Sequence, residues 1–123
     1  MSTYKLDHIH LNSPNPAETA KFYETKLGAK IVSSGKMPSG RSSVSVDLNG
    51  LLIRIQESGG ANDGSFLPVG IDHFGLKTEN IDNAVSELKS NGIKFVTEAR
   101  PMRTGKMAFF EGPPHMQIEL LGD

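Results

Sequence analysis

The sequence predicts an α+β fold made of two tandem β-α-β-β-β modules. Three observations predict it. Period-two alternation in short stretches is interrupted once in each half by a helical pattern. Each helical pattern has its own start and stop residues. The second half then repeats landmarks of the first at a constant interval of 65 positions, the distance from His8 to His73.

The elements follow in order. Residues 4–11 alternate Leu6, His8 and His10 against Asp7, Ile9 and Leu11, as a strand with both faces occupied would, so His8 and His10 point the same way. Asn15, Pro16 and Glu18 read as an N-cap, a proline at the first helical position and an acid at the third, which starts a helix over about 16–27. Ala20, Tyr23 and Leu27 share one face of it, and Gly28 ends it. Strands are expected over 29–34, 42–48 and 51–57. The last two are joined by Asn49-Gly50, whose residues suit the positive φ angles of a type I′ hairpin turn. Residues 58–68, rich in Gly, Ser and Asn, are the candidate linker.

In the second half Ile71-Asp72-His73-Phe74 answers Leu6-Asp7-His8-Ile9. Asn80 precedes a helical face of Ile81, Val85 and Leu88, and Asn91-Gly92 closes it. Residues 93–96 match 29–32, residues 107–110 supply an intervening strand, and Ile118-Glu119-Leu120 answers Ile53-Arg54-Ile55. The expected organisation is one domain over 1–123, with module one at about 4–57, the linker at about 58–68 and module two at about 69–121.

Composition narrows the function classes. A chain of 123 residues is long enough for one substantial core and short for two independent domains. A formal net charge of -1 offers no general attraction to nucleic acid or anionic lipid. No apolar run approaches the roughly 20 residues that span a bilayer, and the first residues lack a signal-peptide stretch, so the cytoplasm is the expected compartment. Without cysteine there is neither disulfide nor thiolate ligand, and any metal must be held by His, carboxylate or amide oxygen. Gly59-Gly60 with Gly64 lacks the Gly-Lys-Ser/Thr of a phosphate loop, and Ser39-Gly40 lacks the helix of a nucleophile elbow.

A His after an apolar-Asp pair at the start of each half, a first helix ending in Leu27-Gly28 and a terminal Ile118-Glu119-Leu120 resemble, in order and spacing, the vicinal oxygen chelate superfamily of glyoxalases, extradiol dioxygenases and bleomycin-resistance proteins. The resemblance covers nearly the whole chain. It implies two modules about a pseudo-twofold axis, their strands forming a curved, funnel-like mixed sheet around one site. It also implies metal ligands on the first and last strands of each module, which here are His8, His73 and Glu119. Arg54 stands at the fourth position, where an always-protonated guanidinium cannot coordinate a cation. Gln56, two residues on, offers an amide oxygen only with a shift of register.

Two imidazoles and a carboxylate with open positions suit Fe, Mn, Ni or Zn. The resemblance therefore implies a metal-dependent enzyme, a lyase, isomerase or dioxygenase, in which the ion polarises a small oxygen-containing substrate. Arg54 would pair with a substrate carboxylate, and His10 would act as general base or stand as an ordinary polar residue of the cavity wall. No organic cofactor is expected. The alternative is a metal-free ligand-binding protein, similar to the bleomycin-resistance proteins, with an Arg54–Glu119 ion pair in place of metal. Either way the resemblance implies a homodimer whose partner is a small molecule, with no nucleic acid and no membrane. His115, after Pro113-Pro114, reads as a solvated turn residue. Arg100, Arg103 and Lys106 read as a solvated basic loop at 100–105, and Phe22, Tyr23, Phe109 and Phe110 as core or pocket wall.

Overall fold

A computed structural model describes all residues, 1–123. The chain is α+β, with eight strands of mixed direction and two helices. In order these are β1 (Lys5–Ser13), α1 (Pro16–Leu27), β2 (Lys30–Lys36), β3 (Ser42–Leu48), β4 (Leu51–Glu57), β5 (Gly70–Lys77), α2 (Ile81–Ser90), β6 (Phe95–Pro101), β7 (Lys106–Gly112) and β8 (Met116–Gly122). Two compact units result, His8–Asp72 and Met1–Asp7 with His73–Asp123. No helix is long and apolar enough to cross a membrane.

In the first unit the strands run in the order β2-β3-β4-β1, with β1 parallel to β4 and the other neighbours antiparallel. Helix α1 begins where the sequence placed it. Asn15 accepts from the Glu18 backbone N–H at 3.1 Å, and Gly28, at φ 75°, lets two carbonyls of the last turn accept its N–H. Ala20, Ala29, Val46, Ile53 and Ile55 form the core, with Leu11, Tyr23, Val44 and Leu48 packed on it. Phe22 remains exposed, contrary to the expectation that it belongs to the core or a pocket wall, and Leu27 is exposed too although it shares a helix face with Ala20 and Tyr23. Phe22 is turned about 100° from Tyr23 on the helix, and Leu27 is the last residue of α1. The Asn49-Gly50 turn has both residues at positive φ, 51° and 102°. The linker is tied down within this unit: Ser58 donates to the Ser13 carbonyl and Leu67 to the Ser58 carbonyl, both at 2.8 Å.

The second unit repeats the scheme, with the order β5-β8-β7-β6 and β5 parallel to β8. The register repeats as well. Leu11 pairs with Ile55 and Leu76 with Leu120, each pair 65 positions from its counterpart. The return hairpins differ. The first turns on two residues, whereas Gly112 pairs with Met116 across Pro113, Pro114 and His115, with Pro113-Pro114 cis and His115 at φ 53°. Ile81, Ala84, Val85, Ala108 and Leu120 form this unit's core. The expected loop at 100–105 is shorter than the sequence indicated, because Arg100 and Pro101 end β6 paired with Met107 and Lys106. Proline is tolerated there at the end of an edge strand.

Two predictions arise from this packing. Ile55 and Leu120 are fully buried, so Ile55→Ala and Leu120→Ala should each cost about 2–5 kcal/mol in urea unfolding. The second concerns the Ser2 backbone N–H, which donates to Glu87 Oε2 at 2.9 Å and is the main reason the Glu87 carboxyl titrates below its ordinary range. A depressed carboxyl stabilises the fold above its unfolded pKa and loses that contribution as pH falls through its folded value. Glu87→Gln should therefore lower the melting temperature slightly at pH 7, and the difference from the native chain should narrow as pH falls through the lowered folded value of the carboxyl.

Candidate functional site

Strand alternation sorts each unit's side chains by face. On β4, Ile53 and Ile55 enter the core beneath α1, which turns Leu52, Arg54 and Gln56 to the other face. Residues paired across neighbouring strands share a face, so His8, His10 and Asn12 of β1 lie beside Leu52, Arg54 and Gln56 in turn. Ser45 and Ser43 of β3 pair with Arg54 and Gln56 from the opposite side. The helix-free face of the first unit thus carries two polar rows, Ser45–Arg54–His10 and Ser43–Gln56–Asn12.

His8 and His10 are 3% and 9% exposed, with ring centroids 6.3 Å apart and planes at 66°. Asn12 is the hub of the second row. Its Nδ2 donates to the Pro68 carbonyl and to Asp72 Oδ1, each at 2.9 Å, while its Oδ1 accepts from Gln56 Nε2 at 2.7 Å. Arg41, just before β3, is also buried, and its Nη2 donates to the backbone and hydroxyl oxygens of Ser65 at 3.1 Å, fixing the linker.

In the second unit His73 Nε2 lies 3.2 Å from Glu119 Oε1, with the two side chains only 8% and 12% exposed. Phe109 stacks edge-on against His73, centroids 5.2 Å apart, and pairs in register with Glu119. Phe109 therefore walls this site, while Phe110 packs against Phe95. Gly75 pairs with Glu119 just as His10 pairs with Arg54.

The remaining sequence candidates fall out differently. Arg54 is exposed on the helix-free face of its unit, where it engages neither a hydrogen bond nor an ion pair. His115 lies in the turn as expected, exposed, 3.5 Å from Glu111. Lys106 pairs with Asp82 at 2.8 Å, and Arg100 and Arg103 face solvent. Not expected from the sequence were Asn12 as the partner of Gln56 and Asp72 as a partner of Asn12. Asn12 could have been found, since it continues the face of His8 and His10 by two residues. Asp72 could not, because its bond to Asn12 joins residues 60 positions apart.

Comparisons with known proteins agree with this geometry. The structure resembles that of a hypothetical protein from Bacillus halodurans at TM-score 0.79 and 22% identity, over 98% of this chain and 95% of that one. Methylmalonyl-CoA epimerase from Mycobacterium tuberculosis follows at 0.76 and 19%, over 95% and 86%. A Streptomyces coelicolor methylmalonyl-CoA epimerase in complex with 2-nitronate-propionyl-CoA gives 0.69 and 17%, over 97% and 96%. At these identities the likeness is one of fold. A search of curated proteins returns no match. Residues 5–120 match the sequence pattern of one family along almost their whole length, and the chain belongs to the Glyoxalase/Bleomycin resistance protein/Dioxygenase superfamily.

Proposed function

We propose that the protein is a metal-dependent enzyme in which His8, His73 and Glu119 hold a divalent ion against a small oxygen-rich substrate, with His10 and Arg54 acting on that substrate. The observation that carries this reading is the buried His73–Glu119 contact at 3.2 Å. Two ligand atoms at about 2.1 Å from one ion stand roughly 3.0 Å apart at right angles and roughly 3.4 Å apart in a tetrahedron. The observed separation suits neighbouring ligands as well as it suits a hydrogen bond. His8 and His73 are buried imidazoles, each with one nitrogen to offer an ion. Nitrogen and carboxylate donors of this kind fit Fe, Mn, Ni or Zn.

Bound there, the ion supplies Lewis-acid stabilisation of negative charge on a substrate oxygen. The chain's own residues supply the rest. His10 takes a proton from the carbon next to the carbonyl that bears that oxygen. Arg54, free of other partners, closes a two-pronged pair on a substrate carboxylate. Proton transfer beside a carbonyl needs only these groups, whereas oxygenation also needs a redox-active ion, so isomerase or lyase chemistry is the simpler assignment. The epimerases among the fold neighbours make a CoA thioester one substrate to assay. The assembly is proposed to be a homodimer.

The test is metal content of untagged protein after identical dialysis. The native chain should retain near-stoichiometric metal, His73→Ala and Glu119→Ala should each lose most of it, and Arg54→Ala should keep it. A native chain that stays empty with added Fe, Ni, Mn and Zn would exclude metal catalysis and leave a ligand-binding role.

A further inference from the structure

The polar face of the first unit holds an amide whose orientation is fixed on one side only. Asn12 Nδ2 donates to a backbone carbonyl and to a carboxylate, both oxygen acceptors. Rotating the Asn12 amide would set its oxygen against both, so Oδ1 must be the atom that faces Gln56. That in turn requires Gln56 to present Nε2 to Asn12, at 2.7 Å, and to turn Oε1 away. Gln56 is 8% exposed, its bond to Asn12 is its single hydrogen bond, and Oε1 is not sealed from solvent. The side chain is thus a preorganised acceptor, held by a chain of three side chains, with no donor of the protein on its oxygen.

Arg54 is the complementary feature. It stands two residues earlier on the same face of β4, with Cα about 7 Å from that of Gln56, and its fork of donors is also without a partner. An acceptor and a guanidinium at that spacing, with Ser43 and Ser45 beside them, fit a short ligand that carries a carboxylate at one end and a hydrogen-bond donor a few atoms away. We infer that Gln56 and Arg54 together select a small hydroxy acid, Arg54 pairing with the carboxylate and Gln56 Oε1 accepting from the hydroxyl. The inference rests on the reading of this face as the ligand site. It does not require the metal.

The test compares racemic 3-hydroxybutyrate, butyrate and 3-oxobutyrate by calorimetry, on protein as purified and after chelation. The native chain should bind 3-hydroxybutyrate about tenfold more tightly than butyrate, because bound butyrate covers the amide oxygen without giving it a donor. It should also disfavour 3-oxobutyrate, which sets oxygen against oxygen. Gln56→Leu should bring 3-hydroxybutyrate and butyrate to equal affinity with metal content unchanged. Arg54→Gln should weaken both acids alike and preserve their ratio. Equal native affinities, or a ratio that survives Gln56→Leu, would overturn the inference, and so would loss of metal in Gln56→Leu, which would assign Oε1 to the ion. If Gln56→Leu does not fold, the native comparison of 3-hydroxybutyrate with 3-oxobutyrate decides alone. A preference that persists after chelation, or in a chain that never held metal, keeps this inference standing where the metal-centred reading fails.

Discussion

Each four-stranded sheet has its helix on one face, and the parallel pairing of its first and last strands decides which side chains that helix covers. Strand side chains alternate with a period of two, so a slip of one residue between β1 and β4 would bring Arg54 and Gln56 beneath α1 and expel Ile53 and Ile55. Burying a guanidinium without a partner costs several kcal/mol, and exposing two isoleucines forfeits about 1.5–3 kcal/mol each. The register is therefore set by the core. The polar face inherits its arrangement from that choice.

On that face a different rule applies. Buried polar groups must find partners, and the first unit meets this with a directed chain from Gln56 through Asn12 to Asp72 and the Pro68 carbonyl. Because the end of the chain is an anion and a carbonyl, both accepting only, the direction of every bond before it is determined. The same contacts attach the linker to β1. Arg41 attaches it a second time through Ser65. A segment rich in Gly, Ser and Asn is thus held by two polar anchors rather than by apolar packing.

What was legible in the sequence was the local chemistry. Asn15, Pro16 and Gly28 bound α1 because each acts on backbone groups within a few residues, and Asn49-Gly50 sets its turn by its own φ angles. The 65-residue interval carried the strand pairing, since the repeat of Arg54 as Glu119 is the repeat of its register. The edge strands were less legible. All residues of β2 are exposed, so they bear no alternation to read, and β6 runs on to Pro101 because its pairing with β7 shifts register twice. Within the candidate site His8, His73 and Glu119 stood out by chemical type and position. The chain of bonds from Gln56 through Asn12 to Asp72 did not, since a hydrogen bond between Asn12 and Asp72 depends on how the chain returns after the linker.

The two halves repeat one frame and diverge on one side of it. At the core-facing positions the copies keep apolar pairs: Ile9 and Phe74, Leu11 and Leu76, Ile53 and Ile118, Ile55 and Leu120. On the opposite face only His8 and His73 agree. His10 is answered by Gly75, Asn12 by Lys77, Arg54 by Glu119 and Gln56 by Leu121. Packing under a helix accepts any apolar side chain of suitable volume, so folding alone explains the first set. It does not explain why a cation stands in one copy where an anion stands in the other. The arginine and acceptor amide of the first copy and the imidazole–carboxylate contact of the second therefore stand at positions where packing beneath a helix places no demand on the side chain.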